Sequence, residues 1–190
     1  MKRYSLLAAS LLVMIFAFQG CRGPEGEPGP QGPEGPAGQP GAELLPAVVE
    51  IEPVSFTAAN NYEVFFALPD ELAGYESDVV LVYLLVGTDE VDNNQVDIWR
   101  ALPWVEPAGS GFFQYGFDYT QLDVRFFLNG NVDLSTLDDT WTQNQIFRVV
   151  VLPTERLARK AHVNYESYEE VVKAYGIDES KIIKARPGTR

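Results

Sequence analysis

The sequence predicts a mainly β head, an antiparallel β-sandwich or barrel-like domain with one C-terminal amphipathic helix, set behind a leader and a thin proline-rich stalk. Three observations predict it. Short runs of β-branched and aromatic residues recur between turn signals from about residue 44 to 154, the spacing of sandwiches and barrels. A 3.6-residue period appears once, near the C terminus. Glycine stands at every third position from Gly23 to Gly41 and then the pattern stops. These features divide the chain into residues 1–20, 21–43, 44–154 and 155–190.

Residues 1–20 have the three parts of a secretory signal. Lys2 and Arg3 are the positive start, and Leu6 to Phe18 form an almost unbroken apolar run of 13 residues. That is signal-peptide length and short of the roughly 20 residues a helix needs to cross a bilayer. The run ends in Phe18-Gln19-Gly20-Cys21, which resembles the lipidation box of bacterial lipoproteins. Gly20 and Cys21 match that box, whereas Phe18 and Gln19 depart from its usual Leu and Ala or Ser. The resemblance implies cleavage before Cys21 and lipidation of its sulfur, so that the protein meets the membrane through Cys21. Cys21 is the sole cysteine; an unpaired thiol in an exported protein is otherwise a reactive liability. No disulfide then staples the head, which must stand on its hydrophobic core.

Gly23, Gly26, Gly29, Gly32, Gly35, Gly38 and Gly41 are in register, with Pro24, Pro30, Pro33 and Pro36 second in their triplets and Pro28 and Pro40 third. At a background of ~7% glycine, seven in register is a chance on the order of one in 10⁸. This is the collagen-like pattern: only hydrogen fits the crowded axis, and proline pre-sets polyproline II dihedrals. As a single strand the run is a spacer of about 65 Å, at roughly 3.1 Å per residue. Three chains would instead wind into a triple helix. Glu25, Glu27 and Glu34 have no lysine partner in the segment and repel when strands are brought together, which favours a monomer over a homotrimer.

Along the head, Tyr62, Val64, Phe66 and Leu68 alternate behind an Asn60-Asn61 turn. The run from Asp78 to Gly87 is apolar throughout and suits a strand buried on both faces. Phe113, Tyr115, Phe117 and Tyr119 make an aromatic face, followed by Val124, Phe126 and Leu128 and by Asn129-Gly130, a hairpin signal. Ile146 to Leu152 reads as the last core strand. Tyr165, Tyr168, Val171 or Val172 and Tyr175 recur at helical spacing, with Asn164 as the start cap and Gly176 as the stop. Ser180 to Arg190 reads as a frayed basic tail.

Charge excludes one class of partner. Residues 42–154 hold eighteen acidic side chains against Arg100, Arg125 and Arg148, and the whole chain carries −13. A body this acidic repels phosphate backbones, so no nucleic-acid partner is expected. Catalytic motifs are absent: His162 is the only histidine and has no nucleophile pattern around it, and no phosphate loop or nucleophile elbow occurs. No catalytic residue, no cofactor and no His/Cys metal site is expected. Oxygen donors cluster in GTDEVDNNQVD, where Asp89, Asp92, Asn94 and Asp97, with Glu90 and Asn93, are the one set suited to Ca²⁺. Their spacing departs from an EF-hand loop, and ordinary turn chemistry is the preferred reading. Trp99, Trp104, Trp141, Tyr115 and Tyr119 are first of all core, and Trp104, between Pro103 and Pro107, is the aromatic best placed to meet a ligand.

The signal, the box at Cys21, the Gly-Xaa-Yaa run and stretches such as DVVLVY, VDIWRALP, DVRFFLNGN and TQNQIFRVVVLP together resemble small collagen-like lipoproteins of Gram-negative bacteria. The resemblance covers essentially the whole chain and implies an outer-membrane, lipid-anchored protein, with no activity attached. Glu25 and Glu27 soon after Cys21 fit a surface-export cue, and the periplasmic and surface faces both stay open. The expected role is an interaction module for a protein or glycan partner; the alternatives are a trimeric structural component and a carbohydrate-binding or carbohydrate-active head. Sedimentation of the Cys21→Ser protein should give a monomer at high micromolar concentration, whereas a trimer would assign the glycine run to a triple helix.

Overall fold

The structure, a computed structural model, describes residues 46–69, 78–154 and 162–188. The predicted signal, Cys21 and the seven stalk glycines lie outside the described residues. Within them the protein is mainly β, with two sheets and two helices. β1 (Ala47–Val54), β3 (Val79–Val91), β4 (Asn94–Ala101), β8 (Gln145–Leu152) and β9 (Ile183–Ala185) form one sheet, in the order β4-β3-β8-β1-β9. The second sheet runs β2 (Glu63–Ala67), β7 (Asp123–Gly130), β6 (Gly111–Tyr119), β5 (Trp104–Ala108). The helices are α1 (Asp139–Thr142) and α2 (Tyr168–Tyr175).

The two-residue period of a strand decides what each face buries. Val49 and Ile51 of β1, Val82 and Leu84 of β3, and Phe147 and Val149 of β8 share one buried cluster with Phe66, Val124, Phe126, Phe113 and Tyr115 of the other sheet. Phe126 stacks on Phe147 with centroids 4.7 Å apart, and Phe56 meets Phe147 edge-on at 6.1 Å. Each fully buried ring of this kind contributes roughly 1.5–3 kcal/mol. The opposite face of the five-stranded sheet is also covered: Val48, Tyr83, Val150 and Leu152 pack with Tyr168, Val171 and Tyr175 of α2. That is why residues 79–84 are apolar without alternation. β3 lies between a second sheet and a helix.

Several local expectations need correction. Asn129-Gly130 is not a hairpin turn but the end of β7, where Gly130 pairs with Phe113. A Cβ on Gly130 would sit 2.4 Å from the Phe112 carbonyl oxygen, so this glycine serves close approach of two backbones. The two-residue turn falls instead at Asp92-Asn93, with φ of 53° and 62°, the left-handed pair that suits strand twist. α2 starts at Tyr168, not at Asn164, because the Ser167 side chain accepts the Glu170 N–H. Gly176 ends it as expected, with φ 64°. The tail is not frayed throughout: β9 pairs in parallel with β1, Lys184 opposite Glu50. The five-stranded sheet is therefore mixed; β8 is the last strand with a buried core, as expected, and the largely exposed β9 follows it at the sheet edge. Three residues are too few to show a period, and β9 is held by ion pairs that no local pattern reveals. The aromatic face of β6 is core at Phe113 and Tyr115 only, since Tyr119 is 45% exposed.

Arg148 ties the helix and tail to the sheet. It stands opposite Glu50 of β1 and Tyr83 of β3. Its side chain is 11% exposed, with Nε 3.0 Å from Glu50 Oε2 and Nη1 3.0 Å from Glu179 Oε1. The guanidinium carbon also lies 4.1 Å from the Trp99 ring centroid and 4.9 Å from that of Tyr168, within cation–π range. Lys184 Nζ reaches Glu50 Oε1 at 2.8 Å. Burial pushes the Glu50 carboxyl up, but hydrogen bonds and charge from Lys184 and Arg148 outweigh it and hold the group below its ordinary 4.5. Burial likewise raises the Tyr168 phenol to about 12, against the opposing charge of Arg148.

Arg148→Ala leaves Glu50 buried with only Lys184 facing it. A loss of about 3 kcal/mol, the low end for breaking a buried pair, is expected from urea unfolding. Because the Glu50 carboxyl is depressed, its contribution is full above its ordinary 4.5 and is lost as pH falls through the lowered value. Thermal unfolding between pH 6 and 3 should therefore show an acid-labile component that Glu50→Gln removes.

Candidate functional site

β4 and β5 are edge strands of different sheets, and the chain passes from one to the other at Leu102-Pro103. Leu102 N–H still donates to the Val82 carbonyl at 2.9 Å, which holds the crossover against β3. On this side the sandwich opens into a cleft of about 330 Å³, lined among others by Leu84, Arg100, Trp104, Glu106, Tyr115 and Trp141. The volume is at the low end of the ~300–1,000 Å³ typical of small-ligand sites.

Each lining residue is placed by strand register. Trp104 and Glu106 are two apart on β5, so they share a face, and Trp104 pairs with Tyr115 of β6. Arg100 pairs with Leu84 of β3, whose side chain is 1% exposed in the core. Arg100 therefore lies on the same face of the edge strand as Leu84, with its side chain exposed at the mouth of the cleft. Trp141 comes from α1, and Gln145, the first residue of β8, ties down that helix by donating to the carbonyls of Thr140 and Gln143 at 3.0 and 2.8 Å.

The aromatic groups form a graded wall. Trp104 stacks on Tyr115 with centroids 5.8 Å apart and planes 16° from parallel, and Trp141 meets Trp104 edge-on at 6.2 Å. The Arg100 guanidinium carbon is 4.3 Å from the Trp104 centroid. The Tyr115 hydroxyl donates to the Trp141 carbonyl, and burial, followed by the negative charge of Glu106, raises its pKa well above the ordinary phenol value. Arg125 pairs with Asp118 and Glu63, and Arg148 with Glu50 and Glu179. Among the described residues Arg100 is the one arginine of the head without a carboxylate in ion-pair range. Such a cleft offers ring faces, a guanidinium and a carboxylate to one ligand.

The structure separates the aromatic candidates. Trp104, Trp141 and Tyr115 converge at the cleft, whereas Trp99 lies under α2, 5.7 Å from the Tyr168 ring, and Tyr119 stacks on Phe117 at the far end of β6. Arg100 and Glu106 were not legible as site residues, because only the pairing of β4 with β3 and of β5 with β6 brings them to one cleft. The i, i+2 spacing of Trp104 and Glu106 was the available signal.

The oxygen-donor cluster is an exposed hairpin arm. Asp89 pairs with Val96 and Thr88 with Asp97, which puts the carboxylates of Asp89 and Asp97 on opposite faces of the ribbon. Asp92 sits in the turn, where its carbonyl accepts from the Asn94 side chain at 3.1 Å, and Asp89 Oδ1 accepts the Glu90 N–H at 2.8 Å. Among the described residues no three His, Cys, Asp or Glu side chains come together as a metal set. His162 is exposed with φ 73°.

Compared with known proteins, the chain matches no family model, no curated protein and no solved structure. Tyr115→Phe removes the donor to the Trp141 carbonyl. It should cost about 1 kcal/mol, read as a lower urea midpoint with an unchanged slope.

Proposed function

We propose that the protein is a lipid-anchored cell-envelope component whose head is an interaction module, held in the outer membrane through Cys21 and set off from it by the collagen-like stalk. The observation that carries the binding role is the Trp104 cleft. It combines stacked aromatic rings with an Arg100 and a Glu106 that do not pair with each other, groups whose interactions a partner would complete.

Register in the glycine run supports a second reading, a trimer joined through the stalk, in which three heads present three clefts at high local concentration. The isolated acids of the run favour the monomer.

Two measurements on whole cells test the main reading. Palmitate labelling of the full chain is expected and should vanish in Cys21→Ala. A photo-crosslinker at Thr140, on the rim of the cleft, should capture a partner, and Trp104→Ala should weaken the adduct. Adducts obtained from position 112, outside the cleft, and none from position 140 would refute the cleft as the binding surface.

A further inference from the structure

We propose that the Trp104 cleft binds a neutral carbohydrate chain, packing the C–H face of a pyranose ring on the indole wall and sharing its hydroxyls between Arg100 and Glu106. This assignment rests on the reading that the cleft is the binding surface, and it names the ligand class. The charges decide the class. Arg100 offers only donors and Glu106 only acceptors, and they face one cleft without forming an ion pair with each other. An acyl chain would strip water from both without replacing it. A polyanion would meet Glu106 and a head with eighteen acidic residues between 42 and 154. Sugar hydroxyls both donate and accept, so one ring satisfies the two side chains at once while its apolar face covers aromatic surface.

The neighbouring surface extends the argument from one ring to a chain. A second cleft of about 600 Å³ shares Trp141 with the first and is lined by Asn131, Asp133, Thr136 and Asp138. Trp141 thus lines both an aromatic subsite and a hydroxyl- and carboxylate-rich one, so neighbouring rings of one oligosaccharide can occupy the two. Arg100 now lies over Trp104, and the ligand ring would take that face while the guanidinium turns to its hydroxyls.

The test uses the full chain in a non-glycosidic detergent, with maltohexaose, cellohexaose, laminarihexaose and chitohexaose as probes and a polygalacturonate oligomer as the charged control. At least one neutral hexasaccharide should bind saturably by calorimetry. Trp104→Ala and the near-isosteric Glu106→Gln should each weaken it about tenfold or more, as charged hydrogen bonds warrant, and Trp99→Phe should leave it unchanged. Absence of saturable binding by all four neutral probes, binding by polygalacturonate alone, or affinity that survives both cleft variants would overturn the proposal. A crosslinked partner from position 140 without sugar binding would remove the carbohydrate class and keep the cleft; loss of both would remove the cleft as well.

Discussion

Arg148 sits in the middle of β8 on the outward face of the five-stranded sheet, where a strand buried on both sides would ordinarily carry an aliphatic residue. Its guanidinium joins Glu50 of β1, Glu179 ahead of β9, and the rings of Trp99 on β4 and Tyr168 on α2. A charge at this depth is tolerated only when each of its donors is directed at a partner. The partners come from both ends of the head's sequence, so the requirement to satisfy one buried cation draws the C-terminal segment onto the sheet. The Tyr83 hydroxyl adds to this by donating to the Tyr165 carbonyl at 2.7 Å. The face that a two-sheet sandwich would leave wet is closed by the chain itself.

On the β4–β5 side the core residues Leu84 and Tyr115 come to the surface in a cleft. The two edge strands belong to different sheets, and the wedge between them is filled only in part by Trp104, Tyr115 and Trp141. The aromatic residues of the head therefore serve two ends. Phe56, Phe126 and Phe147 give the core its mass, and the outer members of the same network, Trp104 and Trp141, form the wall of the cleft. Tyr115 is 1% exposed and bonded to the Trp141 carbonyl, which ties the aromatic wall of the cleft to the core. A disulfide-free head gains from this economy: rings that stiffen the sandwich also shape the site.

Much of the sheet structure was legible because it depends on period two. The runs around residues 62–68, 79–87, 113–119, 124–128 and 146–152 all became strands; alternation marks the buried Val124, Phe126 and Leu128, whereas the unbroken apolar runs of β3 and β8 are buried on both faces. What escaped were features set by contact between distant segments. Asn129-Gly130 has the composition of a turn, yet the approach of Phe112 makes that glycine a spacer in a ladder. Ile183–Ala185 has no readable period, and its place beside β1 follows from Lys184 meeting Glu50 and Glu52. The candidate cleft was half legible: Trp104 stands out between two prolines, while Arg100 and Glu106 look like any other charges of a polar surface.

The sequence by itself determined the glycine-triplet run, the strand-forming composition of the head and the helical period near the C terminus, because composition and period are local properties of the chain. It also determined the acidity of the head and the absence of a second thiol. Tertiary structure alone decided which face the helix covers, which edge the tail joins and which charges share a cleft. Those outcomes depend on strand order and register, where a shift of one residue turns every side chain to the other face. Arg148 and Arg100 show the difference most clearly: two arginines in apolar surroundings along the chain, one enclosed by carboxylates and rings, the other left facing an open cleft.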